Sequence, residues 1–392
     1  MNNNKKALSI LFAVMFLVMA GFGIIIPVLP FYAEEVGASP TQLGLLMAVY
    51  SLTQLLFAPM WGRISDRIGR KPVIMAGILG LTFSFFMTGF ANELWMLFVA
   101  RIIGGMLSSA NMPTAMAYVA DITSAEDRGK GMGVIGAATG LGFVFGPAIG
   151  GVFSKFSLST PFFVAGSLSL LTFFLVWILL KESLTTEKRT QPQAKKTSVW
   201  SEFTGAGSLL FFLQLFISLS LSGLETTFAY FAAVKADIGT VELGYTFMIM
   251  GLASAFVQGG LIGRLTKKFG EGPVIAGGII VSAFGFFLIL FTYNFLTAAL
   301  FITIFGIGNG VIRPTVSALL TKSADSGHGS KTGLLSSFDS LGRIIGPVAG
   351  GWLYEKSINL PYISGIILSF IALALYFIYK AQAAKMNKPN LQ

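Results

Sequence analysis

The chain has 392 residues, of which 54% are hydrophobic, 13% aromatic and only 11% charged, and its mean hydropathy is +0.77. No single soluble core can hide that much apolar surface, so lipid must act as a second solvent. The absence of cysteine excludes disulfides, thiolate nucleophiles and cysteine-based metal sites. The formal charge of +10 raises nucleic acid as a partner, which the placement of the charges argues against.

Met1–Lys6 is too short for a cleaved signal and the apolar run Ala7–Tyr32 too long for one, so that run reads as a retained span. Apolar segments then recur at 7–32, 41–61, 72–91, 94–120, 131–153, 160–180, 205–234, 241–262, 273–292, 297–320, 332–354 and 360–380. Each suits the roughly 20 residues a helix needs to cross hydrocarbon. The predicted fold is an all-α polytopic membrane protein of twelve transmembrane helices in two six-helix bundles. Alternate loops and the tails carry 21 Lys and Arg, the other loops only Lys155, Lys235 and Lys356. That asymmetry predicts that both termini are cytoplasmic and accounts for the net charge without nucleic acid.

Along the first half, Glu34 and Glu35 close the outer end of the first span and read as solvated. Tyr32, Tyr50 and Gln54 are candidate cavity lining, since aromatic side chains hold flat or cationic lipophiles without strict geometry. Gly62-Arg-Ile-Ser-Asp66-Arg67-Ile-Gly69-Arg70-Lys71 reads as a charged ten-residue loop between the second and third spans. It serves either as a positive-inside anchor or as a lock in which Asp66 bonds neighbouring helix ends, with Asp121 a second carboxylate for Arg67 or Arg70. In the fourth span, Arg101 lies eight residues past Glu93, roughly 12 Å in from the outer end. Gly104, Ser108 and Asn111 follow it as a small, polar stripe suited to a water-filled cavity. Arg101 is therefore either half of an interhelical structural pair or a functional charge. In the fifth span Gly142, Gly146 and Gly150 recur every four residues, beside Gly151 and the helix-bending Pro147, a pattern for close packing or for a moving interface.

Lys181–Glu202 is the longest polar stretch and reads as a flexible cytoplasmic linker. The expected organisation is a bundle over 1–180, a linker over 181–204 and a bundle with a short tail over 205–392. Across the linker the chain repeats itself. Trp61-Gly62-Arg63-Ile64-Ser65, Gly69 and Pro72 return as Ile262-Gly263-Arg264-Leu265-Thr266, Gly270 and Pro273, and Pro113 returns as Pro314, all at an offset of 201. Gly146-Pro147 and Gly150-Gly151 return at an offset of 200 as Gly346-Pro347 and Gly350-Gly351. A six-span unit was duplicated, both copies in one orientation. The second copy has Lys267 in place of Asp66 and Glu271 in place of Arg70, which reads as loss of the lock.

In the seventh span Glu225 lies ten residues before Lys235, roughly 15 Å inside, with no basic residue within the membrane part of its own helix. It reads as a protonated structural glutamate or as a proton carrier and the negative partner of a cationic substrate. Phe228, Tyr230, Phe231 and Met248 join the candidate substrate lining. Arg313 and Asp339 lie at similar depth on consecutive spans, with Arg343 one turn past Asp339 and Asn309 one turn before Arg313. They form a neutralising cluster in which Asp339 is either a fixed counter-ion or a second titrating site. His328 reads as a solvated loop residue.

Twelve spans, the loop Gly62-x-x-x-Asp66-Arg67-x-Gly69-Arg70-Lys71 and the fifth-span Gly-Pro-x-x-Gly-Gly resemble the major facilitator superfamily over nearly the whole chain. Within it the pattern is most similar to the bacterial drug:proton antiporters. The resemblance implies a gating network around Asp66 and Asp121, antiport from the Gly-Pro motif, a role in proton transfer for Arg101 in Arg-x-x-Gly-Gly, and a proton-carrying role for Glu225. Related exporters often place an acid three residues before the arginine of an Arg-Pro pair, where this chain has Gly310. The expected function is proton-coupled efflux of lipophilic, cationic or zwitterionic drugs by alternating access, by a monomer without cofactor or metal. Export of an endogenous metabolite, sugar or lipid precursor is the alternative, and a non-transporting membrane sensor a further one. No Ser/His/acid set, metal-ligand cluster or phosphate loop points to an enzyme.

Overall fold

The structure, a computed structural model, describes residues 3–124, 126–184, 207–322 and 328–386. Among them are fifteen α-helices, one π-helical stretch and no strand. The predicted first span is two helices, α1 (Asn3–Ile25) and α2 (Leu29–Glu35), because Pro27 and Pro30 withhold the amides that would continue it. α3 (Pro40–Ile68) and α4 (Arg70–Gly89) follow, and Gly69 alone separates them. The expected ten-residue loop is therefore absent: its charges sit on the last turns of α3 and the first turn of α4, which extend past the apolar runs. Gly69 adopts φ 111°, a conformation that only glycine enters cheaply, and this makes the reversal possible in one residue. Gly62, in contrast, is helical with open space around it and performs no turn.

The fourth predicted span breaks at Ser109–Ala110 into α5 (Leu94–Ser108) and α6 (Asn111–Ile122), because Pro113 cannot donate to the carbonyl four residues back. α7 (Arg128–Phe153) and α8 (Thr160–Leu179) complete the first half. In the second half stand α9 (Ser208–Ala236), α10 (Thr240–Phe256), the π-helical Val257–Leu261, α11 (Ile262–Phe269) and α12 (Glu271–Ile289). α13 (Phe295–Lys322), α14 (His328–Lys356) and α15 (Leu360–Met386) end it. Gly270, at φ 82°, repeats the single-residue reversal between α11 and α12. His328 begins a helix, contrary to the loop expected there.

Eleven helical segments among the described residues are long and apolar enough to cross a membrane. α14, the twelfth, is long enough at 29 residues, but Asp339, Arg343 and a Ser/Gly-rich sequence dilute its hydropathy. The chain is a multi-span helical membrane protein.

Two compact units emerge. Unit 1 comprises Met1–Ser39, Val49–Ala194 and Gly239–Met248; unit 2 comprises Pro40–Ala48, Lys195–Ile238 and Ile249–Gln392. Within unit 1 the glycine face of α7 lies on α1: a β-carbon at Gly146 would sit 2.6 Å from the Ala20 carbonyl oxygen and 2.7 Å from Gly23 Cα. Within unit 2 α14 lies on α9 the same way, with a β-carbon on Gly350 falling 2.8 Å from Gly223 Cα. Backbones approach this closely only where neither helix carries a side chain. Each Gly-Pro helix also receives the start of another helix. A β-carbon on Gly244 would lie 2.5 Å from the Pro147 carbonyl in unit 1, and Gly44 is pressed against Pro347 in unit 2. Gly151 faces the Thr240 carbonyl as Gly351 faces that of Pro40.

Candidate functional site

In unit 1, α5 carries Arg101 into the interior, where it is 6% exposed. Its guanidinium lies 5.5 Å from the centroid of the Tyr50 ring, and its Nε meets no hydrogen-bond acceptor. No ion pair to Arg101 is found among the described residues. The aromatic face thus stands where a carboxylate would be expected, a weaker but less restrictive partner. Tyr50 is itself fixed: its Oη shares a hydrogen bond with Ser108 Oγ at 2.7 Å, and Gln54 Nε2 donates to it at 3.2 Å. Phe22 packs against the same ring, centroid to centroid 5.5 Å. Gly104 and Gly105 admit Ser84 and Thr53 beside Tyr50, as no larger residue would. Asn111, 3% exposed at the start of α6, has both amide atoms buried without a partner, against Gly77 of α4.

At the start of α4 the charged motif builds a network around one guanidinium. Arg70 donates to Asp66 Oδ1 at 2.5 Å, to Ser65 Oγ at 2.8 Å and through Nε to Asp121 Oδ2 at 3.0 Å. Arg70, and not Arg67, is the partner of Asp121; Arg67 is exposed. Glu182 receives the backbone amides of Arg70 at 2.8 Å and Lys71 at 3.1 Å, satisfying the open N-terminus of α4 with a carboxylate where the helix dipole favours one. Ser183 adds a hydrogen bond to Asp121 at 2.9 Å, and Tyr118 donates to the Lys181 carbonyl at 2.6 Å. Lys181–Leu184 are therefore docked on this network, and the remainder of the expected linker lies outside the described residues.

In unit 2 the expected cluster is present and larger than the sequence predicts. Asp339, with a side chain 9% exposed, pairs with Arg313 and Arg343, each at 3.4 Å. It also accepts Gln214 Nε2 at 2.9 Å and a short hydrogen bond from Ser218, both from α9. Glu225, further along α9, lies within electrostatic reach of Arg343 and Asp339. Two acids and two guanidiniums thus share one region, whose charges sum to zero when both acids are ionised. The Arg313 and Arg343 side chains are 51% and 41% exposed, and charge at this depth requires water beside it, so this face borders an aqueous space. At the reversal around Gly270, Glu271 pairs with Lys322 at the end of α13. The second copy has therefore kept an ion pair at a place where the sequence predicts none.

Against this geometry stand the comparisons with known proteins. The family model of the Major Facilitator Superfamily matches residues 11–328 and 259–392. The chain belongs to the major facilitator superfamily. It is 32% identical to Multidrug resistance protein 1 of Bacillus subtilis, with 98% of each chain covered. It is 30% identical to the Quinolone resistance protein NorA of Staphylococcus aureus, over 99% of this chain and all of that one. Among solved structures, a bacterial homologue of the human lysosomal transporter Spinster matches with a TM-score of 0.80 at 16% identity, covering 99% of both chains. The nucleoside transporter NupG matches with a TM-score of 0.79 at 14% identity, covering 98% and 99%. These two likenesses bear on the fold alone.

For this member of the superfamily the candidate substrate residues separate by burial. Tyr50 lies against Arg101 and Gln54 is bonded to Tyr50, while Asn111 is buried apart from them against Gly77. Phe228 and Phe231 are fully buried in unit 2, with the Phe231 ring tilted against that of Tyr362 at 4.4 Å between centroids. Tyr230 packs on Tyr354 at 5.9 Å, and Met248 is half-buried. Tyr32 is not cavity lining: its hydroxyl donates to the Ala91 carbonyl at 2.6 Å. Glu34 and Glu35 are exposed, as expected. Gln214, Ser218, Glu182, Ser183 and Phe22 do not stand out in the sequence because their polarity or aromaticity is ordinary; a helical spacing of four between Gln214, Ser218 and Ser222 is the one available signal for α9.

Proposed function

We propose that the protein exports lipophilic, cationic or zwitterionic drugs in exchange for protons, by alternating access, with both termini in the cytoplasm. The names of its relatives, a multidrug resistance protein and a quinolone resistance protein, support drugs as the substrate. The observation that carries the proton coupling is the division of labour between the two unit 2 acids. Asp339 is held by four donors and acts as the fixed counter-ion of Arg313 and Arg343. Glu225 has no such cage among the bonds described and is the group free to exchange its proton for a cation. Protonation of Glu225 from the outer side releases the bound cation outward, and loss of that proton to the cytoplasm restores the drug-binding carboxylate. Arg101, held by a ring and not by an acid, tunes the field in unit 1 without adding a second proton site. The networks at Arg70 and along the Gly146–Gly151 face of α7 act as gates.

The test is dye or fluoroquinolone efflux in everted vesicles with an imposed pH gradient. Glu225→Gln is expected to lower gradient-driven efflux by about a hundredfold, the scale of losing a proton-transfer group, while downhill drug exchange persists. Full coupled efflux by that variant would remove Glu225 as the carrier.

A further inference from the structure

The repeat offset of 201 that places Pro113 on Pro314 also maps the charged network of unit 1 onto unit 2. Asp66 falls on Lys267, Arg70 on Glu271 and Asp121 on Lys322, so all three charges are reversed. Their neighbours are not: Arg63 falls on Arg264, Arg67 on Lys268, and the hydroxyl of Ser65 on that of Thr266. The residues that keep their sign are the exposed ones that set membrane orientation. The residues that invert are those that make the network in unit 1. Reversal at position 271 or 322 alone would have set like charges against each other; reversal at both preserves attraction, and the structure shows the pair made.

We propose that Glu271 and Lys322 are positioning residues for transport, the core of a second cytoplasmic clamp of inverted polarity. The clamp fastens the single-residue reversal at Gly270 to the end of α13. Arg313 lies nine residues before Lys322 on that helix, roughly 14 Å along its axis, so the clamp sets how far the guanidinium advances toward Asp339. Exposure makes this the looser of the two clamps. Lys322 is 68% and Glu271 16% exposed, against 9% and 15% for Arg70 and Asp121. The inference rests on the transport reading for its role, but the clamp itself is tested without any drug.

The experiment uses the full chain, which has no cysteine of its own, carrying Ser317→Cys on α13 and reconstituted in lipid vesicles. Thiol labelling of that position is measured with no substrate present, and dye efflux separately. Glu271→Gln and Lys322→Gln are each expected to raise the labelling rate by about two- to fivefold, the range of a partly exposed ion pair. Each lowers the maximal efflux rate with little change in KM. The double exchange Glu271→Lys with Lys322→Glu returns both readouts toward the parent. Single variants that label like the parent, or an exchange as defective as the singles, overturn the clamp. Lys322→Gln, at an exposed position, keeps the test open should Glu271 variants fail to fold. Altered labelling with no drug efflux in any form, parent included, would keep the clamp and reject the drug-export reading.

Discussion

Asp339 and Glu225 are both acids at membrane depth, yet the structure gives them opposite surroundings. Asp339 is met by Gln214, Ser218, Arg313 and Arg343, so neutralising it strands two guanidiniums. Asp339→Asn is expected to destabilise the folded protein by about 2 kcal/mol, a figure kept below that for a fully buried pair because both arginines are half-exposed. Thermal unfolding in detergent measures it, and adding Arg343→Gln should recover part of the loss, whereas Glu225→Gln should leave the melting temperature near the parent value. Similar depth on consecutive spans suggests the Arg313–Asp339 pair in the sequence, and helical spacing adds Arg343. Neither brings in Gln214 and Ser218, because contact across helices depends on which faces meet, and periodicity within one helix does not carry that information.

The helices themselves are mostly legible in the sequence, since each apolar run of about 20 residues has one stable solution in lipid. Their ends are not. α3 continues past its apolar run to Ile68, because polar residues outside hydrocarbon prolong a helix as well as they form a loop. Glu182, just beyond the last span of the first half and linker by composition, caps α4 because an open helix N-terminus attracts the nearest carboxylate in space. α7 offers a test of packing within one element. Gly146 is pressed on α1, whereas a β-carbon added at Gly136, earlier on the same helix, would meet nothing within 4 Å. Gly146→Val is expected to cost about 1–3 kcal/mol through overpacking, and Gly136→Ala to gain about 0.5–1 kcal/mol through helix propensity. The difference is read as opposite shifts in melting temperature.

For the whole molecule, duplication is the most informative property of the sequence, because it specifies the pairing of elements twice over. Gly142, Gly146 and Gly150 lie on α1 as Gly342, Gly346 and Gly350 lie on α9, and the glycine reversal at position 69 returns at position 270. Residue identity alone makes the charged motif look degenerate in its second copy, since it is lost at 267, 271 and 322; the ion pair of Glu271 with Lys322 shows that attraction was retained while identity was not. The fold is therefore more symmetric than its residues.

The zero sum of Arg313, Arg343, Asp339 and Glu225 has an electrical consequence. With Glu225 protonated the region carries one positive charge; with Glu225 ionised and a monovalent cation bound it carries one as well. On the proposed exchange, both loaded forms then present the same charge to the membrane potential, and efflux of a monovalent cation is electroneutral. A zwitterionic drug leaves the loaded region uncharged, so each turnover moves one positive charge inward, worth about 2.3 kcal/mol per 100 mV. In vesicles clamped with valinomycin at equal pH gradients, an inside-negative voltage, with the cytoplasmic face inside, should accelerate efflux of the zwitterion and leave the monocation unchanged. The same transporter would thus draw on voltage for one class of drug and on acidity alone for the other.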